Sequence, residues 1–276
     1  MRLWLFPLIL FSLLFITACE ESNNEQEPIT QDDTNQNETV QEEQEENTLE
    51  EENDSMEELE EEQEDEVNKH IAEVEDDTGL HVVDNPESNQ VYLNKQRKLP
   101  DGYEPADLVV PNVQHYAAEG DPKRQMREEA AKALESLFTR AQEQGIELIA
   151  VSGYRSYDRQ KQIYDNSVAT NGQEYADKYS ASPGTSEHQT GLAMDIGSST
   201  ETVATLLEES FKQTSEGTWL AENAHQEGFI IRYPEGKSEI TGYNYEPWHI
   251  RYVGKEIATE IHDQDLTLEE YFGYDY

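Results

Sequence analysis

The sequence predicts an α+β domain, a small antiparallel sheet flanked by helices, preceded by a disordered acidic spacer. Three observations predict it. Charge is segregated: positions 20–77 carry 27 acidic residues and a single base, Lys69, in a chain of formal net charge -42. Beyond that stretch, short apolar runs of strand length lie among longer stretches of helical period without a regular βαβ rhythm. Pro and Gly punctuate those runs where short elements would end.

The chain opens on an export plan. Arg2 supplies a short positive region, an apolar run follows from Leu3 to Ile16, and Ile16-Thr17-Ala18-Cys19 closes it. That run is shorter than the ~20 residues a spanning helix needs, and Cys19 is the sole cysteine of the chain. The ending resembles the lipobox of bacterial lipoproteins, which implies loss of residues 1–18 as a signal peptide and acylation of the Cys19 thiol. The protein is then expected on the extracellular face of the cell membrane, held by a lipid. With no second cysteine, disulfides cannot brace the fold.

Residues 19–80 read as a linker of Glu, Gln, Asn, Asp and Thr, too polar to bury a core and extended by its own charge. The chain as a whole is only 35% hydrophobic, with a mean hydropathy of -0.89. Such an acidic balance excludes nucleic acid as a partner, because phosphate binding needs clustered Lys and Arg.

Residues 81–276 form the predicted domain. Asp121 and Pro122 are read as the cap and first turn of a helix, with Met126, Ala130, Leu134, Leu137 and Ala141 as its apolar stripe and Gly145 as its stop. Residues 146–151 make a buried strand and 156–169 a second helix. Residues 192–196, between Gly191 and Gly197, make a short strand. Helical stretches follow at 202–211 and 219–226, then a strand at 229–233, a loop rich in Gly and Lys, and a strand at 248–253. Helices at 254–262 and 267–272 close the domain.

The ten residues from Ser186 to Asp195 are the most informative window. Strand alternation puts Leu192, Met194 and Ile196 on one face and Ala193 and Asp195 on the other, so Asp195 has small neighbours. Gly191 lets a loop carry His188 back toward that carboxylate. Imidazole and carboxylate are a suitable partial donor set for zinc. His249 offers a third donor. Glu246, three residues earlier, can serve as general base only if Pro247 bends the chain, because on a regular strand the two side chains would point to opposite faces. Three protein donors leave a fourth position for water, the pattern of a catalytic site. Taken singly, each residue has an ordinary reading: Asp195 as a turn former, Glu246 as one more acid, either histidine as a surface or core residue. No role is assigned to His70, His81, His115, His225 or His262.

Together these residues resemble the zinc D-alanyl-D-alanine carboxypeptidases of the VanY type and their L,D-specific relatives of the LdcB type. The shared marks are Ser-x-His-x-x-Gly-x-x-x-Asp at 186–195 and Glu-x-x-His at 246–249. The blocks at 152–156, 228–234 and 246–254 agree as well. The resemblance implies His188, Asp195 and His249 as zinc ligands, Glu246 as catalytic base and Arg155 as the cation facing the oxyanion. A guanidinium fixed just past a strand end suits that last role. Ser186, Gln162, Tyr233 and Trp248 are implied to line the peptide pocket, although Trp248 also reads as core.

The expected function is zinc-dependent removal of the terminal D-alanine of a peptidoglycan stem peptide by a monomer. An L,D-carboxypeptidase acting on tetrapeptide stems is the alternative. A zinc-bearing wall-binding module without hydrolysis is a second one, which the intact Glu246 disfavours.

Overall fold

The computed structural model describes residues 78–199 and 207–273. The expected signal peptide, Cys19 and nearly all of the expected acidic linker lie outside the described residues. Four strands, β5 (Leu148–Ser152), β6 (Ala193–Ser198), β7 (Phe229–Ile231) and β8 (His249–Tyr252), pair antiparallel in the order β5-β6-β8-β7. This is the small antiparallel sheet the sequence predicts. Before it come two two-stranded pairs: β1 (His81–Val82) with β2 (Arg97–Lys98), parallel, and β3 (Leu108–Val109) with β4 (Met126–Arg127), antiparallel.

Helices pack around the sheet: α1 (Glu128–Glu143), α2 (Tyr157–Asn171), α3 (Gln173–Tyr179), α4 (Ser215–Asn223), α5 (Ser238–Thr241), α6 (Lys255–Gln264) and α7 (Leu268–Phe272). The apolar stripe of α1, Ala130, Leu134, Leu137 and Ala141, meets Leu192, Met194, Ile196, Ile250 and Tyr252 in the main core. A smaller cluster of Ile230, Val253, Ile257, Ala258, Ile261 and Leu268 binds α6 and α7 to the sheet. A capping box at Thr267 and Glu270 starts α7.

Several expected boundaries move. The helix expected from Asp121 begins only at Glu128: Asp121 does cap Lys123 N, but that cap serves a single 3-10 turn, Pro122–Arg124. Met126 is buried, yet in β4, where it pairs with Val109. Long-range pairing outranks the local helical period here. Gly197 lies inside β6 rather than after it. The helix expected at 202–211 falls partly outside the described residues, and its end is a 3-10 turn, Glu209–Gln213.

The register of the sheet prepares the site. Asp195 of β6 sits directly opposite His249 of β8, with Met194 opposite Ile250 and Ala193 opposite Arg251. Met194 and Ile250 therefore face the core, while Asp195, His249 and Arg251 share the other face, close enough for neighbouring side chains to touch. A register shift between Ala150 and Ser152 in β5, next to Asp195, adds a bulge at the edge of that face.

Candidate functional site

His188 is carried by a 3-10 turn, Glu187–Thr190, which ends at Gly191 with φ of 70°. That left-handed conformation suits glycine, and a Cβ there would come within 2.9 Å of the Leu108 side chain. The turn brings the His188 ring back over β5, where Nδ1 lies 2.8 Å from the Gly153 carbonyl. A Cβ on Gly153 would meet the Gln125 carbonyl at 2.4 Å, so glycine is what lets the 123–125 segment lie this close to the strand end. With Nδ1 donating to that carbonyl, Nε2 is the free donor of His188. It lies 3.4 Å from Asp195 Oδ2, while Nδ1 of His249 lies 2.9 Å from Asp195 Oδ1.

The three side chains are buried, and one ligand atom from each lies within 4.8 Å of the others. Donors placed about 2.0–2.1 Å from a tetrahedral zinc are themselves about 3.3 Å apart. The two histidine contacts, each to one Asp195 oxygen, fall near that spacing, and two imidazole nitrogens with a carboxylate are a donor set zinc accepts. The residues fit the ion.

Glu246 stands next to this group because the chain turns between Glu246 and His249, whose N–H donates to the Glu246 carbonyl at 3.1 Å, with Pro247 at the second position of the turn. The bend required for both side chains to reach one centre is therefore present. Glu246 Oε2 lies 3.9 Å from His249 Nδ1.

Electrostatics sort these groups. Burial pushes the Glu246 carboxyl up to about 7; His249 and Arg155 oppose this and Asp195 adds to it. Burial likewise lowers His188 to about 3, against the pull of Asp195. In His249 burial is outweighed by the Asp195 and Glu187 carboxylates beside the ring, which raise it to about 9. Asp195 is penalised by burial but ends below the usual carboxylate range because His188, His249 and Arg155 surround it. A cation would compete with the proton on His249 and find Asp195 already ionised.

Arg155 donates from Nη1 to Gln160 Oε1 at 2.9 Å, and Gln160 Nε2 in turn donates to the Ala181 carbonyl at 2.7 Å. The guanidinium thus stands in the cleft on a buried support. Ser186, Tyr233 and Trp248 line the same cleft of about 250 Å³ with His188, Asp195 and His249. Trp248 packs against the main core as well, so its two readings coexist. A wider cleft of about 810 Å³ shares Arg155 and Asp195 with it and has Lys123 and Arg159 in its wall.

Gln162 is the expected pocket residue that the structure does not bring in. It is exposed on α2 and accepts from Arg159 Nη1 at 3.3 Å. Two residues along a helix is about 200° of rotation, so Gln160 occupies the inward face instead. Sequence reasoning also passed over Glu187, Arg232, Arg251 and Tyr243. Tyr243 lines the cleft, its ring 4.5 Å from that of Tyr233. Glu187, Arg232 and Arg251 are fully buried. The signal available was position: Glu187 sits between Ser186 and His188, in the most informative window.

Three comparisons bear on this geometry. Residues 123–255 match the VanY family, D-alanyl-D-alanine carboxypeptidase. A putative carboxypeptidase, YodJ, of Bacillus subtilis is 51% identical over 205 residues, 74% of this chain and 74% of that one. Among solved structures, an LdcB LD-carboxypeptidase is 52% identical, with a TM-score of 0.69 over 73% of this chain and 94% of that one. A vancomycin-resistance D,D-pentapeptidase, VanY, solved in complex with Zn(II), is 36% identical, with a TM-score of 0.54 over 66% of this chain and 98% of that one. With the motifs, the register and the buried donor group all in agreement, the chain belongs to the VanY family of D-alanyl-D-alanine carboxypeptidases.

Proposed function

We propose that the chain hydrolyses the last peptide bond of peptidoglycan stem peptides and releases the terminal D-alanine. The observation that carries this is the buried group of His188, Asp195 and His249 with Glu246 and Arg155 at its edge. In this reading His188 Nε2, Asp195 and His249 Nδ1 hold zinc. Bound there, the ion supplies Lewis-acid polarisation of the scissile carbonyl and lowers the pKa of water.

The chain's own residues do the rest. Glu246, with its pKa near neutrality, takes a proton as the water oxygen bonds to the carbonyl carbon. It then passes that proton to the amine nitrogen as the C–N bond breaks. Arg155, steadied by Gln160, faces the negative charge that develops on the carbonyl oxygen. Tyr233, Tyr243 and Trp248 wall the peptide. A module that only bound stem peptides would need no base beside the donors, and the position of Glu246 speaks against it.

A second reading is favoured by one observation. The likeness to the LdcB LD-carboxypeptidase exceeds that to the VanY D,D-pentapeptidase in both identity and TM-score. An L,D enzyme would use the same donors and base and differ in the residue accepted before the scissile bond. A time course on a pentapeptide stem ending D-Ala-D-Ala against a tetrapeptide stem ending in one D-Ala separates the two. Loss of the pentapeptide first supports the D,D reading, and loss of the tetrapeptide alone replaces it with the L,D one.

Lipid attachment at Cys19 would place this site between membrane and wall, with residues 19–80 as reach. It is supported by the export plan around the sole cysteine. Cys19→Ser should shift the protein out of the membrane fraction, and unchanged fractionation would refute the anchor. Every donor of the site comes from one chain, so we read the working form as a monomer.

A further inference from the structure

We infer that Glu187 is a positioning residue for His249: its carboxylate accepts the Nε2–H of that ring and so leaves Nδ1 unprotonated and aimed at the cation. The inference rests on the zinc reading above and extends it to a residue outside the donor group.

Glu187 is fully buried, and its two oxygens are used unequally. Oε1 takes both guanidinia, from Arg232 Nε at 2.8 Å and from Arg251 Nη1 at 2.7 Å. Oε2 is buried with no hydrogen-bond partner, and so is His249 Nε2. These two atoms face each other at 3.7 Å. One is an acceptor and the other can carry a proton. Leaving a buried polar atom unpaired is costly, and a shift of roughly half an ångström would bring the pair to hydrogen-bond length. Here both arginines converge on Oε1, and Oε2 is left for the ring.

The other edge of the ring explains why this matters. Nδ1 of His249 is the nitrogen on the donor side, 2.9 Å from Asp195 and 3.9 Å from Glu246. A neutral imidazole carries one N–H. If that proton is on Nε2, Nδ1 offers a lone pair to the metal; on Nδ1, the ring cannot ligate. His188 is arranged the same way with its nitrogens exchanged, since Nδ1 meets the Gly153 carbonyl and Nε2 points inward. Each imidazole thus has an acceptor behind it that selects its tautomer.

Glu187 cannot swing away, because its arginines are held in turn. Arg232 donates to both oxygens of Glu269, at 2.9 and 2.8 Å, and to the Leu93 carbonyl at 3.1 Å. Arg251 donates to the carbonyls of Asn89 and Val91.

Glu187→Gln in the full chain tests the inference. The arginines are donors and will hold the amide oxygen at the Oε1 place. That turns the amide NH2 toward His249, where it demands an acceptor and drives the ring proton to Nδ1. Zinc affinity by chelator competition should fall roughly 10- to 100-fold. Ring 15N spectra of metal-free protein at alkaline pH should show the ring proton of the wild type shared between Nδ1, which faces Asp195, and Nε2, which faces Glu187, and that of the variant held on Nδ1 alone. Glu269→Gln, which loosens the same network one step away, should lower the thermal midpoint and leave both readouts unchanged. If Glu187→Gln does not fold, Glu187→Asp keeps the charge for the arginines but withdraws Oε2, and zinc affinity should still fall. Wild-type affinity and tautomer in a folded Glu187 variant, or an equal loss in Glu269→Gln, would overturn the positioning role. Failure of the wild-type protein to bind zinc would instead sink the metal reading, and the 15N comparison would still decide what Glu187 does.

Discussion

Across the turn at Pro247, the Glu246 carboxylate comes within 3.9 Å of Nδ1 of His249, so a single β-turn sets the distance between the base and the last donor. The carboxylate is close enough to act on a water shared with that donor, and His249 is tied to Asp195 by direct cross-strand pairing.

The first prediction concerns this carboxylate as a base. Glu246→Gln should keep zinc and lose roughly 10²-fold or more in kcat. Only the ionised form can take a proton, and burial raises the group to about 7. Activity of the wild type should therefore fall as pH drops through an acid limb. The positive charge of a bound ion would move that limb to lower pH. A kcat/KM profile of wild type and variant checks this. Full turnover in the variant would remove Glu246 from the mechanism.

The same residue should burden the fold. Its pKa is raised from 4.5 to about 7, so the folded state favours the protonated form. That contribution to stability is fully present below pH 4.5 and is lost as pH rises through about 7. In chelator-treated protein, Glu246→Gln should thus raise the thermal midpoint above neutrality and leave it nearly unchanged in acid. An equal effect at both extremes would show that the carboxyl is not strained by its burial.

Arg155 and its support can be separated by substitution. Arg155→Ala should lower kcat more than it alters KM, because the charge it faces exists mainly in the transition state. Gln160→Ala should do the same to a smaller degree, by freeing the guanidinium. Gln162→Ala should do nothing, since that side chain is exposed and bonded to Arg159. Steady-state kinetics on one stem peptide would rank the three. Loss of activity in Gln162→Ala with Gln160→Ala intact would reverse the placement.

What could be read from the sequence follows from how local each signal is. The face of Asp195 was legible because strand alternation is a two-residue period, and the Gly191 and Pro247 bends were legible because those residues restrict the backbone where they stand. The start of α1 was not. Asp121 and Pro122 form a genuine cap, and only the pairing of Met126 with Val109, distant in sequence, shows that the helix waits until Glu128. Gln162 was misplaced for a related reason: α2 has a weak apolar face, so nothing in the sequence said which glutamine turns inward. Glu187, Arg232 and Arg251 were passed over because charged side chains are rarely fully buried unless paired. Their partners lie up to 162 residues apart, beyond the reach of any local pattern.

The central claim is that one zinc, held by His188, Asp195 and His249, supports release of terminal D-alanine. The most direct test measures zinc content and D-alanine release together, for the wild type and for the His188→Ala, His249→Ala double variant. The wild type should carry one zinc per chain, lose D-alanine release with chelator and regain it with added zinc, while the double variant should carry no zinc and release no D-alanine under any of these conditions. Full zinc occupancy and undiminished D-alanine release in the double variant would contradict the claim.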